Sequence, residues 1–126
     1  MSKYTKYHKE YYKRNKEKIN KHNSTVFESR LYSSCKSRAN KNGYEFNLTL
    51  EDIKIPDICI YLGIPLTREY GNGKLFSNAS IDRIDSSKGY TKDNIQIISL
   101  LANRMKQNAT KEQLIEFAKR VLTMYE

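Results

Sequence analysis

The sequence predicts a small α+β fold: two short strands and a helix form a ββα core, helices surround it, and a basic extension precedes it. Three observations predict this. A chain of 126 residues suits one domain with one modest core. The stretch "ASIDRIDSSKGYTKDNIQIISLLANRMK", from Ala79 to Lys106, reads as two strands around a turn followed by a helix. Apolar residues recur at helical spacing both before and after that stretch. The division expected is a basic, Tyr- and Lys-rich arm over residues 1–23 and the ββα domain over residues 24–126.

The arm, "KYTKYHKEYYKRNKEKINKHNS", spaces Tyr4, Tyr7, Tyr11 and Tyr12 as a partial helical stripe among basic positions. Thr25 and Glu28 make a capping box that opens a helix. Val26, Phe27, Leu31, Tyr32, Cys35 and Ala39 carry it inward until Asn42 and Gly43 stop it. "YEFNLTL" alternates briefly as an extended segment, and Thr49 caps a short helix whose first turn holds Glu51 and Asp52. Pro56 ends that element, after which "DICIYLG" is expected to contribute Ile58, Cys59, Tyr61 and Leu62 to the core. A loop freed by Gly71 and Gly73 leads into a strand from Ala79 to Ile84. "DSSKGY" is turn chemistry, Asn94 precedes a second strand at "IQII", and Ser99 caps a helix with Leu100, Leu101 and Met105 on one face. A second capping box, Thr110 with Gln113, opens a last helix expected to direct Leu114, Ile115, Ala118, Val121 and Leu122 inward.

The formal charge of +9 is concentrated. Residues 1–43 hold twelve Lys and Arg against three Glu, and the remaining basic and acidic residues cancel. A polycation joined to a neutral domain suits a polyanion, because each neutralised phosphate releases condensed counterions. Nucleic acid is therefore the leading partner, with Lys13, Arg14, Lys16, Lys18, Lys21, Arg30, Lys36 and Arg38 as its contacts. A solubility role for the lysines and attraction to anionic lipid are the rival readings. The arm lacks Leu, Phe and Trp for insertion between lipids, and no apolar run is long enough to span a bilayer, so no membrane role is expected. The lack of an apolar leader points to the cytoplasm. Cys35 and Cys59 lie far apart, outside any paired spacing, which excludes a four-cysteine zinc site. Both histidines, His8 and His22, lie in the arm.

A helix packed across the hairpin brings Asp82 and Asn103 together. One carboxylate and one carboxamide oxygen, completed by substrate phosphate and water, suit Mg²⁺ or Mn²⁺, which take oxygen ligands. Each residue also has a plainer reading: Asp82, Arg83 and Asp85 as a salt-bridged surface hairpin, Asn103 as a solvent-facing helix residue, Asn94 as a turn closer, Lys106 as a free or phosphate-bound cation.

In their joint order, "SRANKNGYEFNLTLEDI", "CIYLGIPL", "SIDRIDSSKGYTKDNIQ" and "ANRMKQNAT" make the chain from about Thr25 resemble the HNH, or ββα-metal (His-Me finger), endonucleases, in particular the small HNH-like proteins of phages. The resemblance implies that Asp82 and Asn103 bind the metal and that Asn94 pins the connecting loop. It also places Arg83 where the general-base histidine would stand. Arginine holds its proton and has no lone pair to offer, but it can grip a phosphate through two hydrogen bonds. A substitute base would come from Tyr90, Asp85, an arm histidine or a metal-bound hydroxide. The expectation is a metal-dependent DNA endonuclease of low sequence specificity, located in the host cytoplasm if phage-encoded, with Lys106 and the arm positioning the backbone. Its catalytic set is Asp82, Arg83, Asn94 and Asn103. The alternative is a catalytically degenerate DNA-binding or protein-inhibiting module, whose partner would include a protein. Oligomeric state is left open.

Overall fold

The computed structural model describes residue 10, residues 16–69 and residues 75–126, and of residues 16–25 the backbone only. Helix α1 (Lys16–Asn42) is followed by a single 3₁₀ turn (Leu50–Asp52), strand β1 (Ala79–Arg83), a second 3₁₀ turn (Lys92–Asn94), strand β2 (Ile95–Ser99), helix α2 (Leu100–Lys106) and helix α3 (Lys111–Tyr125). This is the small α+β architecture expected. The expected helix start at Thr25 is not observed. α1 runs through Thr25 without a break, and the 23/24 boundary of the arm falls inside it. The capping-box residues of "TVFE" are simply helical here, since a helix already propagating needs no new nucleus.

The strands pair antiparallel in the register Ala79↔Ser99, Ser80↔Ile98, Ile81↔Ile97, Asp82↔Gln96 and Arg83↔Ile95. Ser99 ends β2 and caps α2, its hydroxyl accepting from the Ala102 amide at 3.0 Å, so the chain turns from strand into helix with no loop. The helix then lies back over the hairpin. Its buried residues are Ala102 and Lys106, one turn apart, whereas Leu101 and Met105 are exposed. The sequence groups Leu100, Leu101 and Met105 on one face, and the residues that pack are instead Ala102 and Lys106. Small Ala102 permits close approach of helix to hairpin, and that approach, not apolar size, selects the inward face.

Phe27, Cys35 and Ala39 of α1, Leu48, Ile53, Cys59 and Leu66 of the connecting segments, Ala79, Ile81, Ile97 and Ile98 of the hairpin, Tyr90 and Ala102 form the core. Ile58, Tyr61 and Leu62 were expected there and are exposed. A tight turn explains this: the Gly63 amide donates to the Cys59 carbonyl at 2.8 Å, with Gly63 at φ 67°. Of "DICIYLG", only Cys59 then faces inward. α3 opens with the expected Thr110–Gln113 capping box, bonded in both directions at 2.9 and 3.1 Å. Its apolar residues differ from expectation: Ile115, Ala118 and Leu122 are exposed, and only Leu114 and Val121 are partly covered. Gly71, Gly73 and the arm tyrosines lie outside the described residues.

Candidate metal and phosphodiester site

The ββα unit frames a cavity of about 430 Å³. β1 lines it with Ser80, Ile81, Asp82 and Arg83, α2 with Leu100, Asn103 and Arg104, and α1 with Arg38. Ser86 and Tyr90 from the hairpin turn, with Gln107 and Asn108 beyond α2, complete it. Asp82 and Asn103, distant in sequence, therefore open onto the same space.

Asp82 is buried, 5% exposed. Its Oδ2 accepts from Gln96 Nε2 at 2.9 Å and from the Lys106 ammonium at 3.0 Å, whereas Oδ1 stands 3.4 Å from that ammonium. Gln96 is its register partner across the hairpin and also donates to the Tyr61 hydroxyl at 3.0 Å. Lys106 is 6% exposed and reaches the Arg83 carbonyl at 2.9 Å and the Ile84 carbonyl at 3.5 Å. The sequence reading sent Lys106 out to a phosphate. The structure turns it inward, because burying the Asp82 carboxylate requires a counter-charge.

Asn103 sits one turn before Lys106 on the same face of α2. Its amide nitrogen donates to Ser80 Oγ at 2.8 Å and to the Ile81 carbonyl at 3.2 Å. Both donor bonds go to β1, which leaves the carboxamide oxygen as the atom for a ligand.

Asn94 is 7% exposed and holds the loop between the strands. Its Oδ1 accepts from the Asp85 amide at 2.9 Å, and its Nδ2 donates to the carbonyls of Asp85 at 3.0 Å and Gly89 at 2.8 Å. Gly89 is buried against the backbone of Glu45, where a side chain would collide. The same contact carries a hydrogen bond from the Tyr90 amide to the Glu45 carbonyl at 2.8 Å. The loop is thus tied at Asn94 and pressed against the segment after α1, and this places Tyr90 on the cavity wall.

The Arg83 guanidinium lies 4.1 Å from the Tyr44 ring centre and 5.3 Å from that of Tyr90, and it donates to the Lys88 carbonyl at 3.0 Å. Cation–π packing and one hydrogen bond so fix its position at the cavity. Arg38 Nε donates to the Tyr90 hydroxyl at 3.3 Å. Arg104 packs over Phe76 at 5.4 Å. Of the sequence-derived DNA contacts, the structure brings Arg38 to the cavity and leaves Arg30 and Lys36 exposed elsewhere on α1. Lys13 and Arg14 lie outside the described residues, as do the side chains of Lys16, Lys18 and Lys21.

Of the substitute bases named from sequence, Tyr90 lines the cavity. Asp85 does not. Hydrogen bonds from the Ser87 hydroxyl at 2.6 Å and the Ser87 amide at 2.9 Å, aided by Lys88 and Lys106, hold its carboxyl below the usual range. His8 and the His22 side chain are outside the described residues. Sequence reasoning missed Ser80, Gln96, Arg104, Gln107 and Asn108. Gln96 was findable, since it lies opposite Asp82 in the hairpin register. Gln107 carries a different mark, a non-glycine φ of 44° directly after α2, which sequence alone does not signal.

The donors fit a hard divalent ion in type. Among the described residues no cluster of three or more His, Cys, Asp or Glu exists, so a protein-built cage is absent. One carboxylate and one carboxamide suit Mg²⁺ or Mn²⁺ that keep waters and take a substrate phosphate.

No family model and no curated protein matches the chain. Among solved structures it is similar to the rare-cutting HNH restriction endonuclease PacI, described as exhibiting an extraordinary mechanism of DNA perturbation. The two share a TM-score of 0.57 and 20% identity, and the match covers 78% of each chain. The likeness is one of fold: the ββα unit and its helical surround are HNH-like.

Proposed function

We propose that the protein is a metal-dependent DNA endonuclease of the HNH type, a small phage-type member with Arg83 at the position of the base histidine. The observation that carries this reading is the meeting of Asp82 from β1 and Asn103 from α2 at one arginine-lined cavity, within an HNH-like fold. A bound Mg²⁺ or Mn²⁺ would polarise the scissile phosphate and stabilise the leaving oxygen. Asp82 Oδ1 and the Asn103 carboxamide oxygen are the atoms that would hold it.

The chain's own residues divide the remaining work. Arg83, fixed by Tyr44 and Tyr90, and Arg38 from α1 present guanidinium donors to the non-bridging oxygens of a phosphodiester. Tyr90, as its phenolate, is the candidate to accept the proton of the attacking water. Tyr90 lines the cavity with its hydroxyl bonded to Arg38, and the alternative Asp85 is engaged with Ser87. Asn94 holds the loop that carries Tyr90. Losing a histidine base costs about 10²- to 10⁴-fold, so slow turnover is expected. The arm, with Lys13, Arg14, Lys16, Lys18 and Lys21, together with Arg30 and Lys36, would track the backbone. Rare cutting is a property of PacI. Low sequence preference is proposed for this chain, whose sequence shows no helix with base-reading side chains at successive groove positions.

The test is nicking of supercoiled plasmid with Mg²⁺ or Mn²⁺, with chelator, and with Asp82→Asn, which preserves shape around Lys106 better than alanine. Metal-dependent nicking lost in the variant supports the proposal. Nicking that persists in the variant refutes the catalytic assignment. Metal-independent DNA binding without nicking in the parent favours the degenerate binding module.

A further inference from the structure

We infer that this site takes up its metal ion jointly with the phosphodiester, because among the described residues the substrate-free cavity offers no unmatched negative charge. The inference rests on the nuclease reading and specifies its order of assembly.

Among the described residues Asp82 is the one carboxylate on the cavity wall, and its charge is already met by Lys106 at 3.0 Å, both groups being more than nine-tenths buried. The ammonium is not free to swing away, since the Arg83 carbonyl holds it at 2.9 Å. Gln96 occupies the same carboxylate oxygen at 2.9 Å. The other charged groups facing the cavity among the described residues are the guanidiniums of Arg38, Arg83 and Arg104. Asp85, the nearby acid of the hairpin turn, is not on the wall and is bonded to Ser87. A divalent cation arriving alone meets a neutralised carboxylate, a neutral carboxamide and an excess of positive charge, where Coulomb repulsion opposes it. A phosphodiester reverses this. Its charge matches the arginines, and its oxygens supply anionic ligands of the kind that Mg²⁺ sites commonly share with substrate. By linkage the coupling is reciprocal, so metal tightens DNA by the factor with which DNA tightens metal. Lys106 is then a positioning residue: it aims Asp82 and suppresses metal binding until substrate arrives.

The experiment is Mn²⁺ binding followed by electron paramagnetic resonance of the free ion, using the full chain with and without a short blunt DNA duplex and a duplex-only blank. The duplex is expected to tighten Mn²⁺ by about ten-fold or more, and Asp82→Asn to remove that gain. Lys106→Met is expected to bind Mn²⁺ about ten-fold tighter than the parent in the absence of DNA, the opposite of what loss of a merely structural residue would do. Equal Mn²⁺ affinity with and without duplex in the parent overturns the inference, and this comparison decides the matter even if Lys106→Met does not fold. A folded Lys106→Met with no gain in DNA-free affinity overturns it as well. If coupling is absent while metal-dependent plasmid nicking persists, only this inference fails. If no nicking occurs under any condition, the nuclease reading itself fails.

Discussion

Replacing Asn94 by alanine tests whether one side chain holds the loop that joins the two strands. Three hydrogen bonds disappear, to the Asp85 amide at 2.9 Å and to the Asp85 and Gly89 carbonyls at 3.0 and 2.8 Å. Each is worth about 0.5–1.5 kcal/mol net, and a buried carbonyl left unpaired costs about 1–3 kcal/mol more. The Gly89 carbonyl belongs to a buried residue, so the loss should be about 3–5 kcal/mol. In equilibrium urea unfolding, a slope of about 2 kcal/mol/M converts this to a midpoint lower by about 1.5–2.5 M with the slope unchanged. Asn94→Asp is the sharper companion. It keeps an acceptor for the Asp85 amide, removes both donors and sets a carboxylate against two carbonyl oxygens, so at neutral pH it should be at least as damaging. A loss below about 1 kcal/mol in the alanine variant would show that the loop is held by something other than Asn94.

Gly89→Ala should lose about 2 kcal/mol or more in the same assay, since its Cβ would land on the backbone of Glu45; a neutral effect would mean that this approach is not tight. Burial pushes the Cys35 thiol up to about 11, against the opposing pull of Arg38 and Arg83. The folded state therefore favours the neutral thiol, and the associated stability is fully present below the ordinary thiol range near 9 and lost as pH rises towards 11. Cys35→Ala should show a shallower alkaline decline than the parent in denaturation midpoints between those pH values, and an identical decline would contradict the assignment. Neutralising Lys13, Arg14, Lys16, Lys18 and Lys21 to glutamine should flatten the logarithmic salt dependence of DNA affinity by about 0.9 per lost phosphate contact. An unchanged slope would make the arm a solubility or docking element.

The ββα unit was legible because its signals are local: turn residues in "DSSKGY", a cap at Ser99, and strands short enough for alternation to fix their faces. The capping box of α3 was legible for the same reason. Burial was less so. Leu101 and Met105 have the size of core residues, yet Ala102 and Lys106 face the hairpin, because closeness of approach decides the packed face. Ile58, Tyr61 and Leu62 were misplaced because a turn closed at Gly63 cancels the simple apolar pattern. The apolar residues of α3 look inward-facing by periodicity, but periodicity says which side is apolar and not what covers it. Lys106 carries the most useful lesson for the site. Its spacing of three from Asn103 puts both on one helix face, so its approach to Asp82 followed from the same geometry that brought Asn103 there, whereas a lysine's charge alone suggested an exposed phosphate contact.

The metal site is tested most directly by an anomalous difference map from a crystal of the protein grown with Mn²⁺ and a DNA duplex. A peak is expected within about 2.2 Å of both an Asp82 carboxylate oxygen and the Asn103 carboxamide oxygen, with a phosphate oxygen completing the contact. A well-ordered duplex with no peak between those two side chains, or with the ion held elsewhere, would contradict it.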